Sequence, residues 1–139
     1  MRPGGYPKGV QARAWVEVDL AALWANYRLL AGRAGGEVIP VLKADAYGHG
    51  ALPLARFLEG KGVGRFAVAT LEEGRRLREG GIKGEVLLLG SLHPLEAEEA
   101  LRLGLVPTLS NLEAAEALSQ RARALGLVPR AHLKVDTGM

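Results

Sequence analysis

Cysteine is absent from all 139 residues, which removes disulfides and thiolate chemistry from consideration. No apolar stretch approaches the ~20 residues that a membrane-crossing helix requires. The first ten residues are rich in Gly and Pro and hold no apolar run, so they do not read as a signal peptide. The expected setting is the cytoplasm. Neither a Walker A sequence nor a G-x-G-x-x-G following a strand occurs, so a nucleotide site lacks support. A strong charge of one sign is also missing, the net charge being +3. The basic residues gather only in small groups, Arg75, Arg76 and Arg78, then Arg121 and Arg123, interleaved with Glu72, Glu73, Glu79 and Glu116. Such mixtures make solvated helix faces, with i,i+4 pairs such as Glu72 and Arg76, rather than a nucleic-acid patch. No metal site is assigned.

What remains is an ordinary globular composition, 48% hydrophobic and 24% charged, with enough chain for one buried core. Short apolar runs at 14–18, 37–42, 65–69, 85–89, 105–109 and 131–135 read as strands. Between them lie amphipathic segments with start and stop signals. The first helix follows Asp19, an N-cap residue, and spaces Leu20, Leu23, Trp24, Tyr27 and Leu30 along one stripe before Gly35-Gly36. The second covers 51–59, with Leu54, Ala55 and Leu58 on its apolar face. Thr70 and Glu73 form a capping-box pattern for the third, which ends at Gly80-Gly81. Pro94 suits the first position of the fourth. Ser110 and Glu113 repeat the capping pattern for the fifth, which ends at Gly126.

Alternating strands and helices imply an α/β fold with parallel strands and right-handed crossovers. Runs such as Val86-Leu87-Leu88-Leu89 suit strands covered on both faces. Periodicity alone does not separate an open doubly wound sheet from part of a (β/α)8 barrel. A full barrel needs eight units and ~250 residues, so a barrel reading makes this chain a partial one.

In both architectures, functional groups gather at the C-terminal ends of the strands. Lys43 directly follows the strand at 37–42. An ammonium there is costly to bury unless paired or neutralised, and a neutral amine can condense with an aldehyde. The plain alternative is a lysine reaching out to solvent. Tyr47 offers a hydroxyl four positions on, and Gly48 and Gly50 allow the backbone to approach a ligand closely. His49 and His132 read as structural histidines, and His93 as part of a loop or cap.

The run Val41-Leu42-Lys43-Ala44-Asp45-Ala46-Tyr47-Gly48-His49-Gly50 closely resembles the signature by which alanine racemases carry pyridoxal phosphate. Trp15-Val16-Glu17-Val18-Asp19-Leu20-Ala21-Ala22-Leu23 with Asn26 is similar to that family's opening. His132-Leu133-Lys134-Val135-Asp136-Thr137-Gly138-Met139 resembles a strand and turn near the middle of its barrel. The resemblance implies a partial (β/α)8 TIM-type barrel, about the first four to five β/α units, over 14–139, with 1–13 as a flexible extension. It implies that Lys43 binds pyridoxal 5'-phosphate as an aldimine and serves as one of two catalytic bases, and that Tyr47 contacts the cofactor phosphate. Lys134 matches a lysine carbamylated in some members, the alternative being a strand lysine exposed or paired with Asp136. The implied reaction interconverts L- and D-alanine, supplying D-alanine for peptidoglycan. The implied partners are alanine and, in the full-length family, a second subunit; neither nucleic acid nor membrane is expected. The family's second base, a tyrosine, belongs to a later β-domain with no counterpart among these residues. Three competing readings are a cofactor-binding piece without turnover, another racemase or decarboxylase of the same barrel class, and an unrelated α/β binding module in which Lys43 is incidental.

Overall fold

The structure, a computed structural model, describes residues 16–138. It divides into two compact units, Met1–Val38 and Ile39–Met139. The expected extension 1–13 lies outside the described residues, as do Ala14 and Trp15 of the first expected strand. The rest of that segment, 16–18, forms no strand. A strand exists only with a neighbour to hydrogen-bond, and the described residues provide none for it.

In the first unit, helix α1 spans Leu20–Arg33. Asp19 caps it as its sequence position predicts, one carboxylate oxygen accepting from the amides of Ala21 and Ala22 at 2.8 and 3.0 Å. Leu20, Leu23, Trp24 and Tyr27 form a half-buried stripe, while Leu30, expected to continue it, is exposed. Trp24 and Tyr27 stack with ring centres 5.4 Å apart. The Tyr27 hydroxyl donates to the Val38 carbonyl at 3.2 Å and ties the helix to the chain beyond it.

The second unit is an alternation. After a short helical turn α2 (Lys43–Gly48) come α3 (Ala51–Glu59), β1 (Arg65–Val68), α4 (Leu71–Glu79) and β2 (Glu85–Ser91). A 3-10 turn (Pro94–Glu96) then leads into α5 (Ala97–Arg102), β3 (Val106–Leu109), α6 (Leu112–Leu125) and β4 (His132–Leu133). All strand pairs are parallel, and the sheet order β1-β2-β3-β4 follows the chain. A doubly wound sheet reverses direction at a switch point, whereas a (β/α)8 barrel adds each strand on the same side of the last. The order seen here is the barrel's.

Two expected strands shrink. The segment 37–42 makes a single ladder contact, Val41 beside Ala67, with Ala67 N donating to Pro40 O and Leu42 N to Ala67 O. Pro40 sits inside it and has no N–H to extend the ladder. The segment 131–135 pairs only at His132–Leu133, because the sheet ends there and one side of β4 has no neighbour among the described residues. The cap of α6 also shifts. Asn111, not Ser110, accepts from Ala114 N at 2.8 Å, and Ser110 instead hydrogen-bonds the Ser91 hydroxyl.

The core lies between the sheet and its helices. Phe66, Val68, Val86 and Leu88 on β1 and β2 are buried on the helix-covered face, with Leu54, Leu58, Leu71 and Leu77 from α3 and α4 also buried. The alternate residues Ala67, Leu87 and Val106 form a second small cluster with Ile39 on the opposite face. At the C-terminal end of that face Leu89 is 40% exposed, so this side opens toward the strand ends.

Candidate active site

Because all strands run parallel, their C-terminal ends make one rim. Lys43 stands two residues beyond Val41, itself level with Ala67 of β1. Lys134 follows β4 directly, its amide donating to Leu109 O at 2.8 Å. The two lysines therefore occupy opposite edges of the same rim. Between them lie Ala69-Thr70, Gly90-Ser91 and Ser110. A cavity of about 230 Å³ is lined by Ala69, Thr70, Gly90 and Ser91 at the rim and by Leu71, Leu88, Leu92 and Glu96, with neither lysine at its wall.

Lys43 is half-buried, and no ion pair or hydrogen bond engages its ammonium among the described residues. A larger cleft of about 760 Å³, between α3 and α4 on the helix side, is lined by Leu42, Ala44 and Asp45 but not by Lys43. Leu42 and Val68 are buried and both line that cleft, whereas Lys43, one residue on, does not.

The chain then does something local preference opposes. Ala44, Asp45, Ala46 and Tyr47 take φ of 52, 53, 53 and 55° with ψ between 38 and 47°, the left-handed helical region. Each such non-glycine residue costs about 1–2 kcal/mol, and consecutive ones are rare. The sequence pattern had suggested only a glycine-rich turn. Gly48 and Gly50, at φ 83 and 88°, carry the chain out of it where a Cβ would add strain.

A set of hydrogen bonds holds this turn. Ala46 N donates to Leu42 O at 2.9 Å, and Gly50 N to Asp45 O at 2.9 Å. The Asp45 carboxylate accepts from Ala51 N at 2.7 Å, capping α3 in place of Gly50, which has no side chain to do it. His49 Nδ1 faces the carbonyls of Ala46 and Tyr47 at 2.9 and 3.2 Å, so it carries the ring proton and donates to them. From outside the turn, one Glu73 oxygen accepts from Ala44 N at 2.6 Å. His49 is thus the structural histidine expected. His132 differs from expectation, since it is exposed with no side-chain hydrogen bond among the described residues. His93 caps the 3-10 turn, accepting from Leu95 N at 3.3 Å, and so fills the role its place before Pro94 suggests.

Tyr47 is 62% exposed and Lys134 is exposed. The structure therefore groups Lys43, Tyr47 and His49 in one turn and sets Lys134 apart on the far edge. Sequence reasoning missed Asp45 and the second contact of Glu73. Glu73 was legible only as a helix cap, because its other partner is 29 residues away.

The alanine racemase N-terminal domain family matches this chain over residues 18–139. The chain belongs to that family. An alanine racemase of Carboxydothermus hydrogenoformans is 46% identical over 126 residues, covering 90% of this chain and 34% of that protein. Among solved structures, an alanine racemase of Clostridium difficile 630 in complex with cycloserine superposes with TM-score 0.79 at 35% identity, over 86% of this chain and 33% of that one. A histidine racemase of Leuconostoc mesenteroides subsp. sake superposes equally well, TM-score 0.79 at 29% identity, over 86% of this chain and 32% of that one. The chain thus spans about a third of the length of these relatives. The partial-barrel reading and the family resemblance of the sequence both hold. Among the described residues, no helix is long and apolar enough to cross a membrane.

Proposed function

We propose that residues 14–139 are part of the cofactor-binding barrel of an amino-acid racemase, in which Lys43 binds pyridoxal phosphate and alanine is the substrate. The observation that carries this reading is a half-buried primary amine at the strand rim, without an ion-pair partner among the described residues, beside a strained left-handed turn. Strain concentrated beside one reactive group is the pattern of a functional site. An amine without a carboxylate partner fits an aldehyde ligand, and the exposed Tyr47 hydroxyl in the same turn fits a phosphate oxygen.

When bound, pyridoxal phosphate supplies the conjugated system that takes up charge as the substrate Cα–H bond breaks. Lys43 Nζ would hold the cofactor, and the same amine would be placed to accept or return the α-proton on one face of the reacting carbon. The turn keeps this amine at the rim, and the Tyr47 hydroxyl would hold the phosphate end. Racemisation needs a second proton-handling group on the opposite face, which we assign to residues outside these 139, brought by the second subunit of a homodimer. The same reading places the protein in the cytoplasm, its D-alanine supplying peptidoglycan. Lys134, at the far edge, is the carbamylation candidate; a carbamate would convert its positive charge to negative.

A second reading concerns the substrate. The fold match to a histidine racemase shows that this barrel start is shared with an enzyme named for another amino acid. The two are separated by offering alanine and histidine to the protein and following optical rotation.

The direct test adds pyridoxal phosphate and assays racemisation, then reduces a separate aliquot of the same preparation with borohydride and maps the modified lysine by mass spectrometry. The expected adduct is on Lys43. Label confined to other lysines removes the reading. Label on Lys43 with no turnover means that these residues bind the cofactor and depend on the remainder of the enzyme for catalysis.

A further inference from the structure

Lys43 sits between two anchored amides. On one side Leu42 N donates to Ala67 O at 2.7 Å. On the other, Ala44 N donates to the Glu73 carboxylate at 2.6 Å. Glu73 belongs to α4, where its second oxygen accepts from Ala69 N at 2.8 Å and Thr70 N at 3.3 Å, while the Thr70 hydroxyl accepts from Glu73 N at 3.3 Å. That capping box is complete with one carboxylate oxygen. The other reaches the residue immediately after Lys43.

We infer that Glu73 is a positioning residue for Lys43, clamping the first left-handed residue to the end of β1 so that the amine alone is left to move. The inference rests on the reading of Lys43 as the cofactor lysine. Its physical basis is independent of that reading. Ala44 opens a short turn, where an amide has no partner within the turn itself. Its conformation is one that alanine disfavours. A charged acceptor makes a shorter and stronger bond than a neutral one, and this bond joins three segments: the stretch entering Lys43, the end of β1 and the start of α4. Without it, Ala44 is free to relax toward negative φ and to carry the Lys43 Cα with it.

Two variants separate the clamp from the cap. Glu73→Gln keeps the size of the side chain but replaces one acceptor oxygen with an NH2 group. With its carbonyl kept on the two cap amides, that NH2 meets the Ala44 N–H donor to donor, so the cap survives and the clamp fails. Thr70→Ala weakens the cap and leaves the Glu73 contact to Ala44 in place. On the chain as it stands, amide hydrogen exchange is measured across 43–48, together with the share of borohydride-trapped pyridoxyl label on Lys43 relative to Lys61, Lys83 and Lys134. Glu73→Gln is expected to speed exchange at Ala44 by roughly tenfold or more, the loss of one charge-assisted bond, and to lower the Lys43 share by a similar factor. Thr70→Ala is expected to leave both unchanged even though the weakened cap lowers its thermal stability. Wild-type exchange at Ala44 in Glu73→Gln overturns the inference. So does a Thr70→Ala protein that loses the Lys43 share to the same extent. If the wild-type chain places no label on Lys43, the cofactor reading fails by itself, and the exchange measurement still decides whether Glu73 holds the turn.

Discussion

The amide of Gly90 donates to the carbonyl of Ala69 at 3.1 Å, and a Cβ built on Gly90 would lie 2.5 Å from that same oxygen. β2 bulges here, since Leu87 pairs with Val106 while Ser91, four residues later, pairs with Thr108. Only a residue without a side chain lets the bulge close on β1. Gly90→Ala therefore forces two backbone segments apart, and an overpacked site of this kind costs about 1–3 kcal/mol. Urea denaturation of the variant should show a lower midpoint at unchanged slope.

Arg78 staples the N-terminal side of the sheet. Its guanidinium donates to four carbonyls, those of Leu103, Ile82, Gly84 and Gly104, at 2.7–3.0 Å. Burial lowers its pKa and the nearby Glu59 charge opposes that shift, but a guanidinium stays protonated regardless. Lysine has one compact charge and cannot span the same fork. Arg78→Lys should cost about 1–3 kcal/mol through carbonyls left unpaired, read from thermal unfolding.

Glycine at position 44 should help rather than harm. Ala44 is exposed and its φ of 52° strains a Cβ. Removing that Cβ relieves about 1 kcal/mol, less the added freedom of the unfolded chain, so Ala44→Gly is expected to raise stability by about 0.5 kcal/mol. A fall of similar size in chemical denaturation would show that the turn is not left-handed in solution. Ala46→Gly should gain less, because the Ala46 side chain is buried.

Lys43→Ala should remove the mapped pyridoxyl adduct altogether. It removes no ion pair, so its unfolding free energy is expected to stay within about 0.5 kcal/mol of the parent. Retention of the adduct at full yield in this variant refutes the site assignment.

Glu98 supplies the pH dependence. Its hydrogen bond from Arg102 holds its carboxyl below the ordinary 4.5, the charges of Arg102 and Arg121 adding to the effect and desolvation opposing it. A pKa depressed in the folded state contributes stability that is present above the unfolded value and lost as pH falls through the folded one. Glu98→Gln should therefore flatten the loss of stability as pH falls below the ordinary 4.5. Added salt should shrink the difference, because the pair is exposed.

Much of this was legible in advance because the signals are local. Asp19, the Thr70–Glu73 pair and Gly126 act within one turn of their own helices, and each caps where its position says it should. The Glu72–Arg76 pair at 3.1 Å is likewise an i,i+4 contact. Ser110 was misread because its competitor, Ser91, sits 19 residues away in sequence. With that hydroxyl engaged across the sheet, Asn111 takes over the helix end.

From its amino acids alone, this chain declares an alternating α/β pattern, its helix ends and its kinship with the racemases, since periodicity, capping and a ten-residue motif all lie along the chain. Only tertiary structure decided how the chain leaves Lys43. Four residues with no preference for positive φ adopt it together, because one acceptor from a distant segment, Glu73, joins the hydrogen bonds within the turn in stabilising a conformation that their own sterics oppose.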